Sequence, residues 1–75
     1  MSIKQLHYLQ PGETAQIISF SPELTVQSRL VEMGILPGVK IRLMKKGPFK
    51  GPIEIKVRGY EVALRLRDAM QINVS

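Results

Sequence analysis

The side chains that most often carry catalysis or hold metal ions are few in this sequence and lie far apart. His7 is the only histidine and there is no cysteine, which leaves no metal-ligand spacing and no Cys–His nucleophile pair. The carboxylates are scattered along the chain: Glu13, Glu23, Glu32, Glu54, Glu61 and Asp68. A single histidine without a second ligand or a nucleophile is structural or exposed far more often than catalytic. We therefore expect no enzyme activity, no cofactor and no metal site.

The charge points to a macromolecular partner instead. The net charge is +5, from eleven Lys and Arg against six Asp and Glu, which suits an acidic partner, a nucleic acid or an anionic membrane surface. Small barrels that bind single-stranded nucleic acid stack bases on aromatic rings, but Phe20 and Tyr60 fall at core positions of the predicted strands. We interpret the basic residues as a solvated face that steers a partner, and nucleic-acid binding stays open as an alternative. The basic side chains predicted to point outward are Lys40, Arg42, Lys56, Arg58 and Arg65.

The length and composition predict one soluble domain covering residues 1–75. Seventy-five residues are near the lower limit for a self-sufficient core, and no disulfide can add stability. No segment approaches the ~20 apolar residues of a membrane span, and the N-terminal residues lack the apolar run of a signal peptide. We expect a cytoplasmic protein that does not cross the membrane.

The stretch 21–38 contains the strongest helix signal. Ser21 can cap the first turn, and Pro22 suits the first helical position. The apolar residues Val26, Leu30 and Met33 recur at helical spacing, whereas Arg29 and Glu32 share the opposite face. Gly34 suits the left-handed residue that ends a helix in a Schellman closure, with Ile35 packing back on Leu30. A turn at Pro37 and Gly38 follows.

The rest of the chain predicts short strands. Alternation of apolar and charged residues is clearest in 39–44 and 53–58, which should pair as a hairpin. Further strands are predicted at 14–20, 60–67 and 72–74, with a 3₁₀ piece at 4–9 and one helical turn at Asp68 and Ala69. Together these elements predict a mainly β fold, a small five-stranded barrel. One α-helix enters between the first two strands, and a short helical turn precedes the last.

The loop between the hairpin strands has two interpretations. Pro48 and Pro52 stiffen a tip that also contains Phe49. Phe49 either folds back over an open end of the barrel, or it forms a pre-ordered apolar knob for a partner. The sequence does not choose between them.

Several pieces of the chain, in order and with unbroken spacing, together resemble one family. They are Leu9-x-Pro11-Gly12-Glu13, Arg29-Leu30-Val31-Glu32-Met33-Gly34-Ile35-x-Pro37-Gly38, Pro48-x-x-x-Pro52-Ile53, Val62-Ala63-Leu64-Arg65 and Ala69-x-x-Ile72-x-Val74. This set resembles ferrous iron transport protein A, the FeoA family. One departure lies in the loop, where Lys50 replaces the glycine that the family often shows.

The resemblance implies a cytoplasmic SH3-like barrel that assists the ferrous iron permease FeoB, with a role in regulation or assembly at the inner face of the membrane. It implies no stable nucleic-acid complex, and self-association stays open. The fold is also similar to the C-terminal module of metal-dependent repressors, so an isolated repressor module is a further alternative. The candidate partner-binding residues are Arg29, Glu32, Met44, Pro48, Phe49, Lys50 and Pro52. The motif residues assigned to the fold are Leu30, Met33, Gly34, Pro37 and Gly38.

Overall fold

A computed structural model describes residues 3–75 as one antiparallel sheet of six strands with short helical elements. The strand order is β1-β6-β2-β3-β4-β5. The strands are β1 (Lys4–Gln5), β2 (Thr14–Phe20), β3 (Lys40–Lys46), β4 (Ile53–Val57), β5 (Tyr60–Leu64) and β6 (Ile72–Val74). The helices are α1 (Gln27–Glu32) and α2 (Leu66–Ala69), and a 3₁₀ turn spans Leu6–Tyr8. The mainly β prediction is confirmed, including the inserted helix and the helical turn before the last strand.

The hairpin of β3 and β4 builds the centre of the core as its alternation predicts. Ile41 pairs with Val57 and Leu43 with Ile55, and all four side chains are buried. Burying each of these side chains contributes about 1.5–3 kcal/mol before entropic costs. The basic residues between them lie on the outer face and are exposed, as predicted: Lys40, Arg42, Lys56 and Arg58.

The structure adds one strand to the five predicted. Lys4 and Gln5 form β1, which pairs with Val74 and Asn73 of β6. Two residues are too few to show an alternating pattern, so only the pairing with a distant strand identifies them as β structure. The 3₁₀ piece predicted at 4–9 is therefore wrong for Lys4 and Gln5 and confirmed at Leu6–Tyr8.

Helix α1 begins later than the predicted cap at Ser21. Ser21 instead starts a turn, in which the Leu24 N–H donates to its carbonyl over 3.0 Å. The side-chain amide of Gln27 donates to the carbonyls of Ser21 (3.4 Å) and Leu24 (3.3 Å), which supply acceptors outside the helix. Leu24 is buried in the core at this turn, and the chain before Gln27 therefore forms a turn instead of the first turn of the helix. The helix therefore starts at Gln27.

The end of α1 is a Schellman closure, as predicted. Gly34 has φ +84°, its N–H donates to the Val31 carbonyl over 3.0 Å, and the Ile35 N–H donates to the Leu30 carbonyl over 2.8 Å. Leu30 and Ile35 are both buried, which provides the hydrophobic contact of this motif. The turn that follows places the Gly38 N–H 2.8 Å from the Ile17 carbonyl and joins the helix exit to β2.

Two residues of the strand predicted at 60–67 differ from expectation. Tyr60 is 44% exposed, and its hydroxyl donates to the Met33 carbonyl at the end of α1 instead of entering the core. Strand β5 ends at Leu64, so Leu66 begins α2 instead of continuing the strand. The Leu66 side chain is half-buried against the core. Within residues 3–75, neither helix has the length or hydrophobicity needed to cross a bilayer.

Candidate protein-interaction surface

His7 lies on the 3₁₀ turn with its ring packed against that of Tyr8, the ring centres 4.1 Å apart and the ring planes at 37°. Its Nδ1 atom is buried and has no hydrogen-bond partner among residues 3–75. Burial, and then the positive charge of Lys46, lower the pKa of His7 below its usual range. The imidazole is therefore neutral near pH 7. In the same range, no three His, Asp or Glu side chains come close enough together to hold a metal ion.

The exposed face of α1 carries two of the predicted partner residues. Arg29 and Glu32 are exposed, and Val31 between them is 47% exposed. Arg29 and Glu32 are not among the ion pairs of residues 3–75, which join Lys4 to Glu13 and Lys45 to Glu54. An ion pair between Arg29 and Glu32 therefore does not explain why this face carries two charged side chains. The face offers both charges and an apolar side chain to a partner.

The tip of the β3–β4 hairpin is a closed, ordered turn. The Gly47 N–H donates to the Pro52 carbonyl over 2.7 Å, and the Gly51 N–H donates to the Pro48 carbonyl over 2.9 Å. A Cβ on Gly47 would lie 2.8 Å from Pro52 Cδ, and one on Gly51 would lie 2.9 Å from the Pro48 oxygen. Both glycines are therefore required by close packing within the tip.

Phe49 projects from this tip into solvent. Its exposed fraction is 103%, so the folded-back interpretation does not hold. Its φ of +58° lies in the left-handed region, which is costly for a phenylalanine. Lys50 beside it has no positive φ, so a lysine is accommodated at this position without backbone strain. Backbone strain combined with an exposed aromatic ring is a pattern found at binding sites.

The remaining predicted partner residues of this hairpin lie at the tip and in β3. Pro48, Lys50 and Pro52 are exposed at the tip. Met44 is half-buried, at a β-bulge between Leu43 and Lys45. The tip and the α1 face are carried by different elements, so the predicted residues form two groups.

Leu66, Arg67 and Met70 are not among the predicted partner-binding residues. The structure places them beside Lys50 and His7 along a surface groove. The available signal is the i, i+4 spacing of Leu66 and Met70 with two arginines at Arg65 and Arg67. That spacing does not indicate which distant elements will form the other wall.

The chain matches known proteins over nearly its whole length. The model of the FeoA domain family matches residues 4–75. A curated relative, the Fe(2+) transport protein A/Fe(2+) transporter FeoB fusion protein of Porphyromonas gingivalis, is 30% identical over 74 residues. This match covers 99% of the present chain and only 8% of the fusion protein.

Solved structures share the fold. The solution structure of a FeoA-like protein from Clostridium acetobutylicum has a TM-score of 0.87 at 29% identity, covering 100% of this chain and 87% of that one. FeoA from Stenotrophomonas maltophilia in complex with zinc, a prokaryotic SH3 domain protein, has a TM-score of 0.79 at 28% identity, covering 95% and 88%. The SH3-like prediction is thereby confirmed.

A manganese-dependent transcriptional repressor also shares the fold. Its manganese complex has a TM-score of 0.89 at 22% identity, covering 100% of this chain and 37% of the repressor. At this identity the likeness concerns the fold alone.

Proposed function

The chain belongs to the FeoA family, and we propose on this basis that it is an accessory protein of ferrous iron uptake that binds a FeoB permease and modulates its activity. It acts at the cytoplasmic face of the membrane and performs no catalysis of its own. The partner contacts are the exposed charges of Arg29 and Glu32 and the hairpin tip around Phe49.

The fusion protein of Porphyromonas gingivalis is the observation that carries this proposal. In that protein, a segment 30% identical to this chain is joined to the transporter FeoB in one polypeptide. A covalent link keeps two domains at a high effective concentration, which favours a weak contact between them.

The geometry supports docking through pre-ordered groups. The tip holds Phe49 in a fixed backbone turn, so little conformational entropy is lost when a partner covers its ring. The Schellman closure and the Tyr60 hydroxyl fix the end of α1. Both candidate surfaces are therefore presented by rigid elements.

Calorimetric titration into detergent-solubilised full-length permease tests the proposal, with the permease's GTP-binding domain titrated in parallel. Binding to both is expected if the contact lies on the nucleotide domain, and binding to the full-length protein alone if it lies on the membrane part. The absence of binding to either, checked by an independent probe, would overturn the proposal and favour the nucleic-acid alternative.

A further inference from the structure

Three elements that are distant in sequence line one open groove on the surface. The 3₁₀ turn contributes His7, the hairpin tip contributes Lys50, and α2 with its two capping residues contributes Arg65, Leu66, Arg67 and Met70. The groove measures about 610 Å³. Binding sites for small ligands measure roughly 300–1,000 Å³, so the groove is large enough for one or two side chains of a partner.

The charge of the groove has one sign. Lys50, Arg65 and Arg67 line it, and none of them belongs to an ion pair of residues 3–75. Lys46 adds positive potential next to His7. Asp68 lines two neighbouring depressions, one of them together with Glu23, but no carboxylate lines this groove. A negatively charged ligand is therefore expected to bind in this groove in preference to the other two depressions.

The apolar part of the groove is aliphatic. Leu66 is half-buried and packs against the core, and Met70 is 44% exposed. Methionine adapts to irregular apolar side chains, whereas nucleic-acid bases are held mainly by stacking on flat aromatic rings. The one ring in the groove, that of His7, already packs against Tyr8 at an angle of 37° between the ring planes. A protein segment fits this lining better than a nucleic acid does.

We propose that this groove binds an acidic segment of the permease, with an aliphatic side chain against Leu66 and Met70 and carboxylates beside Lys50, Arg65 and Arg67. The inference rests on the proposed function and extends it, because it adds a third contact surface and states the chemistry of the partner. Lys50 belongs to both the hairpin tip and the groove, so the two surfaces are continuous.

Charge reversal separates the groove from the rest of the basic surface. The groove variant is Arg65→Glu/Arg67→Glu, and the control is Lys40→Glu/Arg42→Glu on the outer face of β3. The two variants change the net charge equally, so they weaken the long-range electrostatic attraction to a partner to the same extent. Met70→Ala removes the exposed apolar contact, with the similarly exposed Ile18→Ala as its control. Unfolding by urea and amide NMR spectra establish that each variant is folded.

Calorimetry against the full-length permease gives outcomes that distinguish this inference from the proposed function. The dissociation constant should rise about tenfold more for the groove variant than for its charge-matched control, and severalfold for Met70→Ala with Ile18→Ala within about twofold of wild type. Wild-type affinity in both Arg65→Glu/Arg67→Glu and Met70→Ala would overturn the groove site and leave the proposed function intact.

Two further outcomes would also overturn the groove site. The absence of binding by the wild-type protein would overturn the proposed function together with it. If the charge-reversal groove variant lost only salt-sensitive retention of a single-stranded RNA oligonucleotide, with permease binding unchanged, the groove would be a nucleic-acid site.

Discussion

The Tyr60 hydroxyl donates a hydrogen bond to the main-chain carbonyl of Met33, and this bond ties β5 to the end of α1. The last carbonyls of a helix lack partners within the helix, so a side-chain donor here satisfies a group that would otherwise need water. The contact fixes the orientation of α1, whose outer face carries Arg29 and Glu32. Strand β5 lies at the edge of the sheet, so the bond also anchors an element whose only strand neighbour among residues 3–75 is β4.

Removal of this hydroxyl should destabilise the fold while leaving the ring in place. We expect Tyr60→Phe to lower the free energy of unfolding by about 0.5–1.5 kcal/mol, the usual net value of one hydrogen bond. Urea denaturation followed by circular dichroism measures it. Tyr8→Phe is the matched control, because Tyr8 is exposed on the 3₁₀ turn. An equal loss in both variants would show that the Tyr60 bond contributes nothing specific.

The left-handed glycine that ends α1 gives a second prediction. Gly34→Ala should cost about 1–2 kcal/mol, because an alanine is strained at its φ of +84°. A Cβ there would also lie 3.3 Å from Arg58 Cδ and 3.4 Å from the Tyr60 hydroxyl. Gly38→Ala is the control, with φ +94° and no heavy atom of the described residues within 4 Å of its Cβ position.

Urea denaturation should therefore give similar losses for the two glycine variants, because the exposed Arg58 side chain can move aside. A much larger loss for Gly34→Ala would mean that Arg58 and Tyr60 form a rigid wall against the helix end.

Phe49 should contribute to binding and not to stability. Phe49→Asn removes the exposed ring and places a residue that tolerates the left-handed region. We expect the free energy of unfolding to stay constant or to rise by up to about 1 kcal/mol, because the strain is relieved. The dissociation constant for the permease, measured by calorimetry, should rise about tenfold. Wild-type affinity in this variant would exclude the ring from the interface.

The α1 face can be tested without changing the net charge. Arg29→Glu/Glu32→Lys exchanges the signs of two exposed side chains that lack ion pairs in the part of the chain described. Exposed substitutions of this kind usually change stability by no more than about 0.5 kcal/mol. We expect weaker pull-down of the permease and slower ferrous iron uptake by cells. Unchanged values of both, with the fold intact, would exclude this face.

The pH dependence of stability should report the burial of His7. Its pKa is lowered in the folded protein, first by burial and then by Lys46, so the unfolded chain binds a proton more readily. The free energy of unfolding should therefore fall as the pH drops below about 6.5, the ordinary pKa of histidine. His7→Phe should flatten this fall in urea titrations between roughly pH 5 and 8.

Glu13 also makes the free energy of unfolding fall at lower pH, and its effect has to be distinguished from that of His7. The pKa of Glu13 is lowered, chiefly because its carboxylate accepts a hydrogen bond from the Gln10 N–H. Its contribution is present above the ordinary pKa of 4.5 and is lost as the pH falls through the lower folded value. A slope above pH 5 that is identical in wild type and His7→Phe would contradict the assignment to His7.

The sequence alone determined the elements that depend on local patterns. Period-2 alternation predicted the β3–β4 hairpin, because each side chain's face follows directly from its position in an extended chain. Gly34 predicted the helix end, since the left-handed conformation is accessible to few other residues. The exposure of Arg29 and Glu32 followed from the helical pattern, whereas that of Phe49 is seen only in the structure, and the role of both groups as contacts stays a prediction.

The tertiary structure decided what depends on contacts between distant residues. The pairing of β1 with β6 and the start of α1 at Gln27 come from hydrogen bonds and core packing that no local pattern shows. Tyr60 faces outward because the helix end lies within reach of its hydroxyl. The groove of His7, Lys50 and Arg67 exists only because the folded path of the chain brings three separate elements together. Local sequence encodes backbone preference and burial, whereas the proximity of remote side chains is a property of the whole fold.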